Sequence, residues 1–118
     1  MTRPIGNVRL KAARQHAGYG SQQALADALT RAADVPLAIG DAATAVAALA
    51  AEVAERGEAR FRADCAIAAS LAVAGAKSAA VLVEVNLGTT GGDERTTRAQ
   101  IQVDEAAGSL ARAVAAVG

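Results

Sequence analysis

Aromatic side chains are almost missing from this chain. They make up 2% of its 118 residues: one Phe, one Tyr and no Trp. That excludes stacking platforms for single-stranded nucleic acid or sugars, which need several aromatic faces. Cys65 is the only cysteine, so one chain can form neither a disulfide nor a cysteine-based zinc site. There is a single histidine, His16, with no carboxylate or Ser at helical spacing, and it reads as a surface residue. Net charge is absent too. Twelve Lys and Arg balance twelve Asp and Glu, so no overall field steers the chain to nucleic acid or anionic lipid. The N-terminus has Arg3 and Arg9 but no continuous apolar core of a signal peptide. The expectation is a cytoplasmic, reducing compartment with no nucleic-acid and no membrane partner.

Apolar residues are what the chain does have, at 53% of the total. With aromatics so scarce, the core must be built from Ala, Val and Leu. Such side chains bury little area each, so helices have to approach closely to gain contact. A core of that kind is marginal in a small monomer. Burial of further apolar surface between subunits is therefore expected.

Residues 1–20 form a lead-in carrying Arg3, Arg9, Lys11 and Arg14 and no acid. A short helix near 8–17 would end at Gly18-Tyr19-Gly20. A basic arm for an anionic partner competes here with a solvated, frayed terminus. Residues 21–118 form the domain. Ser21 is a credible N-cap. From Gln22, apolar residues step at helical spacing through Leu25, Leu29, Ala32, Ile39, Val46, Leu49 and Val53. Pro36 falls inside that pattern and should kink or split the helix. Gly57 is a stop.

Asp64 then precedes an Ala-rich helix expected over about 64–85. Its carboxylate suits the positive helix end as a cap. The run is apolar on nearly every face, hence central. Its apolar core is about half a bilayer-spanning length before Lys77 interrupts it. Ala68, Ala72, Gly75 and Ala79 offer small faces for close backbone approach. Lys77 either snorkels to solvent or faces an anionic ligand. Asn86 to Gly92 reads as an interhelical turn; without Gly-Lys-Ser/Thr and a leading strand it is no phosphate loop. A last helix over about 93–117 carries Val103, Ala107, Leu110, Val114 and Val117 at alternating four- and three-residue steps, a narrow seam. The fold expected is all-α: an antiparallel multi-helix bundle with a proline-bent helix, oligomeric.

One ordered set of residues goes further. Val35-Pro36-Leu37, Gly57, Ala63-Asp64 and Asn86-Leu87 resemble, in order and spacing, the cyclodeaminase/cyclohydrolase family. It includes the C-terminal domain of formiminotransferase-cyclodeaminase and stand-alone methenyltetrahydrofolate cyclohydrolases. The likeness covers about Gln22 to Leu87, and the terminal helix only by character. Glu58 stands where the family usually has Asn, Ala63 where it has Ser, and Leu82 where it commonly has Asn. Its Gly-rich N-terminal segment has no counterpart in Met1 to Gly20.

The resemblance implies folate one-carbon chemistry: hydrolysis of 5,10-methenyltetrahydrofolate, or deamination of formiminotetrahydrofolate. A tetrahydrofolate derivative would be the substrate, with no metal or redox cofactor. Asp64 is implied as the catalytic group, with Asn86 and Lys77 binding substrate. Implied partners are a second copy of the chain, or another chain supplying the Gly-rich half. The alternative is a catalytically inactive helical assembly protein of the same descent.

Overall fold

A computed structural model describes residues 11–13, 18, 20–88 and 92–118. His16 and most of the expected 8–17 helix lie outside them; residues 11–13 are helical. Contacts divide the chain into two units, Met1–Ala32 and Ala33–Gly118.

In the first unit, α1 spans Gln22–Ala32. Ser21 caps it, its Oγ accepting from the Ala24 N–H at 3.1 Å. Leu29 stays exposed, and α1 buries none of its side chains.

The second unit is a three-helix bundle. Helix α2 spans Asp34–Arg56, α3 spans Arg62–Leu87 and α4 spans Glu94–Val117. The helical register predicted across Pro36 is broken at Ala33, so two helices stand where one bent helix was expected. Pro36 sits in the first turn of α2, where a missing N–H forfeits no intrahelical bond. A single 3-10 turn, Ala59–Phe61, leads into α3. Val81 to Val85, β-like in composition, is helical, and there is no strand among the described residues.

Three buried clusters fix the directions of the helices. Ala33 and Leu37 at the start of α2 meet Val83 and Leu87 at the end of α3 and Ala99 at the start of α4. Ala47 meets Val73 and Ala106 at mid-height. Ala51 and Ala54 meet Ala69 and Ala113 at the far end. Helix α3 therefore runs antiparallel to both neighbours. Ion pairs Asp34–Arg95 at 2.9 Å, Asp41–Arg98 at 2.7 Å and Glu55–Arg112 tie α2 to α4 in parallel register. Their exposure limits each to about 0–1 kcal/mol, so they set register more than stability.

The packing reverses one expectation. Ile39, Val46, Leu49 and Val53, read as the inward face of α2, are exposed, while Leu37, Ala47, Ala50, Ala51 and Ala54 are buried. On α4, Val103 is buried and Leu110 half-buried as expected. Val114 and Val117 instead face solvent, and Ala99, Ala106 and Ala113 turn inward. Close approach of three helices leaves room for methyl groups on the inner faces and displaces larger side chains outward. Val83 is the largest side chain fully buried. Of the small residues singled out on α3, Ala72 and Ala79 are buried, and Gly75 faces Ala43, where an added Cβ would make ordinary contact at 3.8 Å.

One polar group crosses the core. Gln102 is buried, and its Nε2 donates to the Leu37 carbonyl at 3.0 Å and to Asp41 Oδ1 at 2.7 Å. Gly40 makes the room: a Cβ there would lie 1.9 Å from Gln102 Oε1. Thr44 Oγ donates to the Gly40 carbonyl at 2.8 Å and reaches the Gln102 carbonyl at 3.3 Å.

Candidate functional site

Asp64 lies in the first turn of α3, exposed. It does not cap the helix. The 3-10 turn feeds directly into α3 at Arg62, which moves the helix start two residues earlier and leaves no side-chain cap there. A carboxylate in the first turn still suits the positive end of the helix.

Asp64 stands on an open cleft of about 380 Å³ between α2 and α3. Val46, Leu49 and Val53 form one wall, and Phe61, Cys65 and Ala68 the other. Asp64 is the only charged residue of the lining. The side chains that the sequence pattern assigned to the core thus build this wall instead. Phe61 was not anticipated. The available signal was its position three residues before Asp64, which places the two on one side of the chain. The Arg60 guanidinium lies 4.5 Å from the Phe61 ring centre.

Lys77 is exposed and borders a different depression, of about 300 Å³, with Glu84, Gln100 and Val103 between α3 and α4. Its side chain reaches solvent from an apolar helix. Asn86 is half-buried in the last turn of α3. At 1.5 Å per helical residue, Asp64 is about 20 Å from Lys77 and about 33 Å from Asn86 along the axis. One chain does not bring the three together. Among the described residues, no His, Cys, Asp and Glu gather as a metal-binding group.

The turn between α3 and α4 is built by Gly88 and Gly92, whose φ of 65° and 86° lie in the left-handed region that glycine enters freely. Asp93 then caps α4, accepting from the Arg95 N–H at 2.9 Å. The Arg95 side chain binds the same carboxylate, and these hydrogen bonds hold Asp93 below the usual carboxylate range. Asp93 and Asp34 in turn push the Arg95 guanidinium up. This charged group closes a helix end, away from the Asp64 cleft.

The sequence of the chain has a counterpart among known protein families. The family model of the formiminotransferase-cyclodeaminase C-terminal domain matches residues 7–105. The chain belongs to this family. No curated protein and no solved structure matches it. Membership in the formiminotransferase-cyclodeaminase family places the chain with folate-related proteins. The match takes in α1, α2 and α3 and the first half of α4, and so includes Asp64, Lys77 and Asn86.

Proposed function

We propose that the chain acts in folate one-carbon chemistry, opening or closing a one-carbon bridge on a tetrahydrofolate derivative at the Asp64 cleft. The observation that carries this is one carboxylate standing on an otherwise apolar cleft, in a chain of this family. Apolar walls suit the aromatic part of a folate. A carboxylate beside them suits proton transfer to nitrogen. In ring opening, water adds to the methenyl carbon, a tetrahedral centre forms, and one C–N bond breaks as its nitrogen takes a proton. In ring closure with loss of ammonia, the leaving nitrogen needs the same help. Asp64 is the group in reach for both roles.

The test is the rate of loss of 5,10-methenyltetrahydrofolate absorbance, alongside ammonia release from formiminotetrahydrofolate. Asp64→Asn keeps size and removes the charge. A general acid–base role predicts a fall of about 10²–10⁴ in rate. Equal rates for both proteins would refute it. A second reading, a family member that assembles without catalysis, is favoured by the separation of Asp64, Lys77 and Asn86 along α3. A folded chain with no turnover of either substrate would establish that reading.

A further inference from the structure

The one Phe of the chain and the one charge of the cleft stand together. Phe61, Asp64 and Ala68 follow at three- and four-residue spacing, which puts them on one side of the chain. The opposite wall, from Val46, Leu49 and Val53, is aliphatic. Phe61 is 43% exposed, so its ring is partly uncovered.

The turn that delivers this ring is tight. The Gly57 N–H donates to the Val53 carbonyl at 2.7 Å, and the Phe61 N–H to the Glu58 carbonyl at 3.0 Å. A Cβ on Gly57 would lie 2.5 Å from the Val53 oxygen. Glycine there lets the chain leave α2 beside Val53 and bring Phe61 to the opposite wall.

The cations around Asp64 are already held. Glu52 binds Arg56 at 3.2 Å, Glu58 binds Arg60 at 3.1 Å, and Glu55 binds Arg112. Arg62, two residues before Asp64, projects from another side of the helix. Among the described residues, Asp64 has no ion-pair partner. A carboxylate beside apolar walls attracts a cation more strongly than one in open water does. The cation that loses least on leaving water is a flat, delocalised one, which is weakly hydrated and lies well on an aromatic face. Phe61 already holds a group of this kind, the Arg60 guanidinium 4.5 Å from its ring centre. Arg60 is no part of the cleft lining, so the surface of Phe61 that lines the cleft is left for a ligand.

We infer that the Asp64 cleft selects a planar amidinium cation, with Asp64 as its counter-ion and the Phe61 ring as the surface on which it lies. The inference deepens the folate reading and rests on it for what the ligand is. The methenyl bridge of 5,10-methenyltetrahydrofolate is such a cation, its charge shared between two nitrogens. A protonated formimino group is another. In ring opening, the oxygen of water bonds to the bridge carbon, its proton goes to the carboxylate, and the C=N electron pair returns to nitrogen. Both charges disappear together. The formyl product carries no charge at that position, so the cleft holds substrate more firmly than product. Phe61 is thereby a specificity-determining residue of the site.

Two flat probes of one shape test this: 2-naphthamidine, a cation at neutral pH, and 2-naphthamide, which is uncharged. Each is titrated into the full chain and followed by the backbone amide resonances of Phe61, Asp64, Cys65 and Ala68. The cation should shift these signals and bind at least about threefold more tightly than the amide, an advantage that shrinks as salt rises. Asp64→Asn should erase the difference between the probes. Phe61→Leu, of unchanged helicity, should weaken the cation about threefold, and Phe61→Tyr should restore it. No binding of the cation, equal binding of both probes by the wild type, or a charge preference that survives Asp64→Asn would overturn the inference. So would full affinity in Phe61→Leu. Turnover of 5,10-methenyltetrahydrofolate keeps the two readings apart. A chain that turns it over yet treats the probes alike retains the folate reading and loses charge selection. A chain that prefers the cation yet neither binds nor turns over the folate loses the folate reading and retains charge selection.

Discussion

Gly40 and Gln102 are a matched pair. The glycine has no side chain because the glutamine end occupies that space, and the glutamine is satisfied because Leu37 and Asp41 offer acceptors there. Gly40→Ala gains helix propensity but forces a buried, bonded group aside, so it should destabilise by about 1–3 kcal/mol. In a Gln102→Ala background the same change should cost less or turn favourable. Urea unfolding of the four proteins measures the coupling. Additive effects would mean that the two residues do not share the space. Asp93 yields a pH dependence. Its carboxyl titrates lower when folded than when unfolded, so the stability it lends is complete above the unfolded value. That stability is lost as pH falls below about 4 and through the folded value. Asp93→Asn should flatten the acid limb of stability against pH, as followed by helicity.

The helices themselves were plain in the sequence, and the way they turn was not. Ser21 and Asp93 mark helix starts by a local rule, since a side-chain oxygen meets a free N–H within three residues, and both do so. Asp64 fits the same rule by type but fails it by position, because the preceding 3-10 turn starts the helix earlier. The inward faces were misread because hydropathy favours Val, Leu and Ile inside, whereas close helix approach favours Ala. On α2 the buried Ala47, Ala50, Ala51 and Ala54 lie beside the exposed Val46, Leu49 and Val53, and spacing alone does not say which set turns inward. Gln102 was invisible, since its partners lie more than sixty residues away. The consequence is a contrast that hydropathy would not foresee. Val83→Ala should cost about 2 kcal/mol, counting two buried carbons and the cavity left behind. Leu71→Ala, at a side chain 70% exposed, should change stability by less than about 0.5 kcal/mol. Equal losses at the two positions would mean that Leu71 is core after all.

For the molecule as a whole, α3 carries all three residues implied in folate chemistry and yet holds them apart along its length. The bundle presents a cleft with one carboxylate at one end, and exposed Val, Leu and Ile side chains along α2 and α3. The first feature is where we propose that a folate binds, in a chain of the formiminotransferase-cyclodeaminase family. The packing of small residues inside and large residues outside explains why so short a chain exposes the second. Both features meet at Asp64, where α2 and α3 open into the cleft. Calorimetric titration of a tetrahydrofolate derivative into the wild type and into Asp64→Ala of matched helicity tests that meeting point most directly. Saturable binding by the wild type, weakened tenfold or more in the variant, is the predicted result. No binding by a folded wild type, or equal affinity in both proteins, would contradict it.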